Sequence, residues 1–199
     1  MKNIYLSEVI ATRLSHDLVG NIGAVANAVE LLNEGDEDDL EDVRNILGFS
    51  SKVLSNRLKF FRLCFGLSNS APKDVNDLKE IISNYLLTLG NPNFPIKLEL
   101  NILSPQVYKI VMPAVMLMAD IIIKSGKIIV NQKEHGLHIQ AVSDNPLNTG
   151  KLEQIDMVIK GQTLTENPSS FAPLYYLLNY LEESKVPVFR EQNTLIIGE

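Results

Sequence analysis

The chain has little of what several protein classes depend on. Its one cysteine, Cys64, excludes an internal disulfide framework and fits a reducing compartment. With no tryptophan and 18 Lys and Arg against 24 Asp and Glu, it carries a formal net charge of −6. That balance disfavours nucleic acid and anionic membranes, because phosphate-dominated binding needs clustered cations. Long apolar runs are missing too. The most apolar segment, Ile110–Ile123, is interrupted by Pro113 and Asp120 and is shorter than the ~20 residues of a membrane span. The first sixteen residues are broken by Lys2, Glu8 and Arg13, so no secretory signal is expected. A cytoplasmic globular protein follows, with 45% hydrophobic residues to build a core.

What is present begins with a helical hairpin. Leu6, Ile10, Leu14, Leu18, Ile22, Val25, Val29 and Leu32 recur at steps of three and four, the helical period. In "NEGDEDDLED", Gly35 can end one helix and the acids suit the positive N-terminus of the next. Leu40, Val43, Leu47, Val53 or Leu54, Leu58 and Phe61 mark the second helix, which Gly66 and "SNSAP" close, leaving 67–74 as a linker. Two helices alone leave an apolar stripe half covered. A second copy of the hairpin or another domain packed on top would cover it, and a four-helix bundle made by two chains is the natural expectation.

The second half changes character. Helices are expected near 74–89, 105–124, 151–160 and 169–184. Strands are expected at "PIKLELNIL", "KIIV", "LHIQAV", "VPVFR" and "NTLIIGE", with a turn at 134–136. Helices mixed with mainly antiparallel strands predict an α+β sandwich, one sheet with helices on one face.

Within "ATRLSHDLVGNIGAVANAVELL", His16 falls on the side of the first helix opposite Leu14, Leu18 and Val25. Its outer-face neighbours are Thr12, Gly20, Gly23 and Asn27, all small or short and uncharged. Each interior glycine costs about 1 kcal/mol of helix stability against alanine, so two on one face suggest that another backbone comes close there. The same spacing also fits a surface histidine on a helix with two incidental glycines. On the return helix, position 55 should lie level with His16. Lys52, Arg57 and Lys59 fall within about a turn of it and Arg62 a turn further, where some could stabilise a phosphoryl group. A solvated basic face is the alternative.

The string "LSHDLVGNIGAV" resembles the phosphoacceptor box of sensor histidine kinases. "SHDLVGNIGAVANAVELL" with "RLKFFRLCFG" is more specifically similar to the ChpT-type histidine phosphotransferases of alphaproteobacteria. The resemblance implies a dimeric hairpin domain over 1–70, and over 74–199 a degenerate domain shaped like a kinase ATP-binding (Bergerat) domain. It makes His16 the phosphorylated residue and gives Asp17 the part of orienting the imidazole. Gly20 stands where kinases often carry Thr or Asn, and Asn21 where proline is common, which puts phosphatase activity and a helix kink in doubt. The nucleotide motifs are absent. "PQVYKIVMPAVMLMADIIIKSG" has no asparagine, "SDNP" keeps Asp144 but has Pro146 for the glycine, and no Gly-x-Gly lies between Lys160 and Phe171.

The function expected is phosphoryl shuttling between aspartates of receiver domains, of a hybrid kinase and of cell-cycle response regulators. The chain would need no cofactor of its own, since magnesium sits on the receivers. An ATP-dependent histidine kinase and a non-catalytic dimeric interaction protein are the alternatives. His135 and His138 form an H-x-x-H pair without an evident third ligand and read as ordinary turn and strand residues, and Cys64 as a small buried apolar one.

Overall fold

A computed structural model describes residues 2–34, 40–66, 71–90, 93–134 and 136–198. Two long helices come first, α1 (Lys2–Glu34) and α2 (Leu40–Phe65). At 33 residues, α1 is about 50 Å long. The two pack on each other as the periodicity predicts. The helix-ending role expected of Gly35 lies outside the described residues, as do linker residues 67–70 and His135.

The second half runs α3 (Val75–Leu86), β1 (Ile96–Asn101), α4 (Tyr108–Ala119), β2 (Gly126–Gln132), β3 (Gly136–Val142), α5 (Thr149–Ile159), α6 (Ala172–Leu181), β4 (Val188–Glu191) and β5 (Thr194–Gly198). Asp74 caps α3 by accepting the Asp77 amide, and Asn148 caps α5 by accepting that of Lys151. The sheet order is β1-β2-β3-β5-β4. β1 and β2 are parallel, joined across α4, and the remaining pairs are antiparallel.

Alternation along the strands separates two faces. Ile128, Val130, Leu137, Ile139 and Ala141 point into the core, while Lys127 reaches across to Glu99 at 2.7 Å on the outer face. The inner face is covered by α4, with α6 packed against α4. From Val111 to Ala119 every residue of α4 is buried, which explains why its sequence reads as one apolar run. The expected helix over 105–124 divides into a 3-10 turn at Pro105–Val107 and α4 proper, and Ile122 beyond it bridges to Leu147.

One core spans both halves. Phe60, Phe61, Leu63 and Cys64 of α2 join the cluster that reaches Ile139 and Leu195 in the sheet, and Leu14 and Leu18 of α1 pack against it. Beyond Leu18, α1 adds nothing to that cluster among the described residues. Along that part of the hairpin several apolar side chains are exposed, although Ala28 is fully buried. Val19 is 62% exposed, Ile22 54% and Phe49, on α2, 63%, and Val29, Leu32 and Ile46 are also exposed.

Candidate functional site

His16 stands on the outer face of α1, with its side chain 84% exposed. Thr12, Gly20, Gly23 and Asn27 are exposed with it. Thr12 bonds its hydroxyl back to the Glu8 carbonyl at 2.8 Å. A Cβ added at Gly20 or Gly23 would meet nothing within 4 Å, so neither glycine is required by packing within this chain. Together these residues leave low relief around the imidazole.

Asp17 faces the other way and is largely covered, its side chain 14% exposed. Its Oδ1 lies 3.5 Å from Nδ1 of His16, long for a hydrogen bond but close enough for a carboxylate to bias the ring. Its Oδ2 accepts from Nε of Arg13 at 2.7 Å. Arg13 is itself 7% exposed. Its Nη1 and Nη2 grip Asp120 at 2.7 and 3.1 Å, and Nη1 also donates to the Ser170 carbonyl at 3.2 Å. Lys151 approaches the same Asp120 oxygen at 3.4 Å. Asp120 closes the C-terminus of α4, where the helix dipole disfavours a carboxylate, and the two cations offset that. Burial by itself would lower the pKa of Arg13. The hydrogen bond to Asp120 and the charges of Asp120 and Asp17 outweigh burial and raise it above its ordinary value. The Tyr85 hydroxyl, fully buried nearby, is raised well above its usual range by desolvation and then by Asp120, so it stays protonated.

The cations of α2 do not act alike. Arg57, expected beside the phosphoryl group, turns away from the outer face. Its Nε donates to Thr88 Oγ1 at 3.1 Å and its Nη2 to the Thr88 carbonyl at 2.8 Å, and its Nη1 donates to the Asp17 carbonyl. It ties α1 to the segment just past the end of α3. Lys59 is half exposed and 3.9 Å from Asp77 of α3. Lys52 and Arg62 are exposed.

Sequence reasoning missed Arg13, Asp120, Lys151, Ser170 and Thr88. Two signals were available. Arg13 and Asp17 stand four apart on a helix, a favoured ion-pair spacing. Asp120 is an acid inside an otherwise apolar run, and a buried charge demands a partner. No signal linked the two across 107 residues.

In the second half, Asp144 is exposed, and Ser143 Oγ is engaged with the Ser125 carbonyl and the Asn145 amide. Between α5 and α6 the backbone has positive φ at Gly161 and Asn167. His138 lies on β3 opposite Asn131 and Ile196. Cys64 is buried. No helix among the described residues is long and apolar enough to cross a membrane.

No family model matches the chain. Over 82 residues it is 34% identical to the protein phosphotransferase ChpT of Brucella abortus (strain 2308). That match takes in 40% of this chain and 38% of the relative, so the chain spans about two fifths of the length of the curated relative it matches. Its fold is shared with a bacterial phosphotransferase of solved structure at a TM-score of 0.66 and 20% identity, across 98% of this chain and 95% of the other. The likeness to ChpT-type phosphotransferases read in the hairpin thus has beside it a curated relative of that name and a solved phosphotransferase fold covering nearly the whole chain.

Proposed function

We propose that this chain is a histidine phosphotransferase that takes a phosphoryl group onto His16 from the phosphoaspartate of one receiver domain and passes it to an aspartate of another. The observation that carries the reading is the exposed imidazole on a rigid helix, with a covered carboxylate beside Nδ1. With the proton on Nδ1 facing Asp17, the Nε2 lone pair is free to attack phosphorus. The N–P bond forms as the P–O bond to the donor aspartate breaks, and that electron pair leaves with the carboxylate. The ring then carries a positive charge that Asp17 faces, and the reverse steps deliver the group to the second receiver. The receiver supplies the magnesium.

Lys59, Arg62 and Lys52 are exposed cations of α2 that suit such a group, Lys59 from beside Asp77, while Arg57 has a bracing role. The exposed apolar residues along the rest of the hairpin suit a homodimer through a four-helix bundle. In this reading residues 1–70 are the phosphotransfer domain. Residues 74–199 are a Bergerat-like domain without nucleotide, serving as scaffold and docking surface. The partners are a hybrid kinase and cell-cycle response regulators in the cytoplasm.

The test is to incubate the chain with a receiver carrying labelled phosphoaspartate and, separately, with labelled ATP. Acid-labile label on the chain from the receiver alone is the expected result. Label from ATP would make it an autokinase, and label from neither would leave an interaction protein.

The glycines give a second expectation. Gly23→Gln exchanges a poor helix former for a good one in open space, so the hairpin should gain roughly 0.5–1 kcal/mol. The same side chain would stand where a receiver must approach, so thermal denaturation should move up while transfer slows. A variant that melts higher and transfers normally removes the docking explanation for the glycines.

A further inference from the structure

Asp17 has two oxygens with different tasks. Oδ2 is held by Arg13 at 2.7 Å, and Oδ1 faces Nδ1 of His16 at 3.5 Å. A carboxylate pinned through one oxygen has the direction of the other decided for it. Arg13 is not a loose surface cation either. It is 7% exposed, and its planar fork is engaged by both oxygens of Asp120 and by the Ser170 carbonyl. The position of the carboxylate next to the exposed imidazole is therefore dictated from α4 and from the turn ahead of α6, more than a hundred residues away in sequence. The ring is 84% exposed, and Asp17 is the one charged side chain paired with it among the described residues.

We propose that Arg13, clamped by Asp120 and the Ser170 carbonyl, is a positioning residue that fixes the Asp17 carboxylate against Nδ1 of His16 and so leaves Nε2 as the nitrogen open to a phosphoryl group. The inference rests on His16 as phosphoacceptor and adds to that reading what holds the acceptor in its reactive form. It gives the second half of the chain a part in positioning the acceptor, through Asp120 and Arg13. Lysine at position 13 could not replace arginine, because an ammonium cannot meet two carboxylates and a carbonyl in one plane.

The experiment uses the full chain with nitrogen-15 histidine, together with the variants Arg13→Lys and Asp120→Asn. Ring nitrogen shifts report the tautomer of neutral His16. Potassium phosphoramidate serves as phosphoryl donor, its P–N bond breaking with release of ammonia. The rate and ring position of labelling at His16 are read by mass spectrometry and NMR. In the wild-type chain the Nδ1–H tautomer should predominate and label should enter at Nε2. Both variants should shift the tautomer towards Nε2–H and slow labelling about tenfold, as expected for a misplaced reacting group. A residue that served only stability would lower the melting temperature and leave the tautomer unmoved.

Unchanged tautomer and unchanged rate in either folded variant overturn the proposal. So does a wild-type His16 that carries its proton on Nε2, a result that needs no variant to fold. Neither measurement uses a receiver domain. Failure of the proposal is thus distinct from failure of receiver-to-histidine transfer, which the receiver assay reports separately.

Discussion

Replacing His16 by alanine is expected to abolish phosphoryl labelling from a phosphorylated receiver while leaving the melting temperature nearly unchanged. The two halves of this expectation have separate physical grounds. The imidazole is the only group on that face of α1 with a lone pair able to form the N–P bond. Thr12, Gly20, Gly23 and Asn27 offer no comparable nucleophile, and the Thr12 hydroxyl is turned to the Glu8 carbonyl. An 84% exposed side chain has little to lose in stability, and exposed substitutions of this kind usually stay within about 0.5 kcal/mol. Autoradiography and peptide mapping after incubation with a labelled receiver, alongside calorimetry, check both. Label persisting at His135 or His138 would move the acceptor elsewhere. A large fall in melting temperature would mean that His16 is covered in solution.

The second large effect concerns the joint between the hairpin and the rest of the molecule. Phe60 is fully buried and lies flat on Tyr85 of α3, with ring centroids 3.8 Å apart and planes 10° apart. Phe61 meets both rings edge-on. Truncating Phe60 to alanine removes the ring and leaves a cavity that α2, packed on both sides, cannot close. A buried Phe→Ala change costs about 3–5 kcal/mol. For a chain of this length, each kcal/mol lowers the melting temperature by about 2–4 °C. A fall of about 6–20 °C is expected in Phe60→Ala, measured by calorimetry.

Because this cluster belongs to the same core as the sheet, helical circular dichroism and a probe in the second half should fall together. A hairpin that melts separately would show two transitions, and the continuity of the core would then have no energetic weight. The same argument says where function is exposed to mutation far from His16. A change in α3 or α4 that shifts Tyr85 or Asp120 alters the ground on which Arg13 and Asp17 stand.

Much of this molecule could be read from residue order alone, because the determining forces are local and periodic. The stripe of Leu14, Leu18 and their neighbours specified α1 and placed His16 on the opposite side. Alternation in "PIKLELNIL" specified β1, and the turn at 134–136 and the polar turn between "VPVFR" and "NTLIIGE" set off the strands around them. The box around His16 was legible because its residues are consecutive. What the tertiary structure decided was everything resting on contacts between distant segments. It paired β1 with β2 in parallel, and it placed Asp120, which in sequence only interrupts an apolar run, against Arg13. It also turned Arg57 from the outer face to Thr88 and the Asp17 carbonyl, partners that lie 31 and 40 residues away in sequence. Periodicity reports which side of a helix is apolar. It carries no information about which charged partner another element will bring to the opposite side, and at this site that partner determines how the acceptor is held.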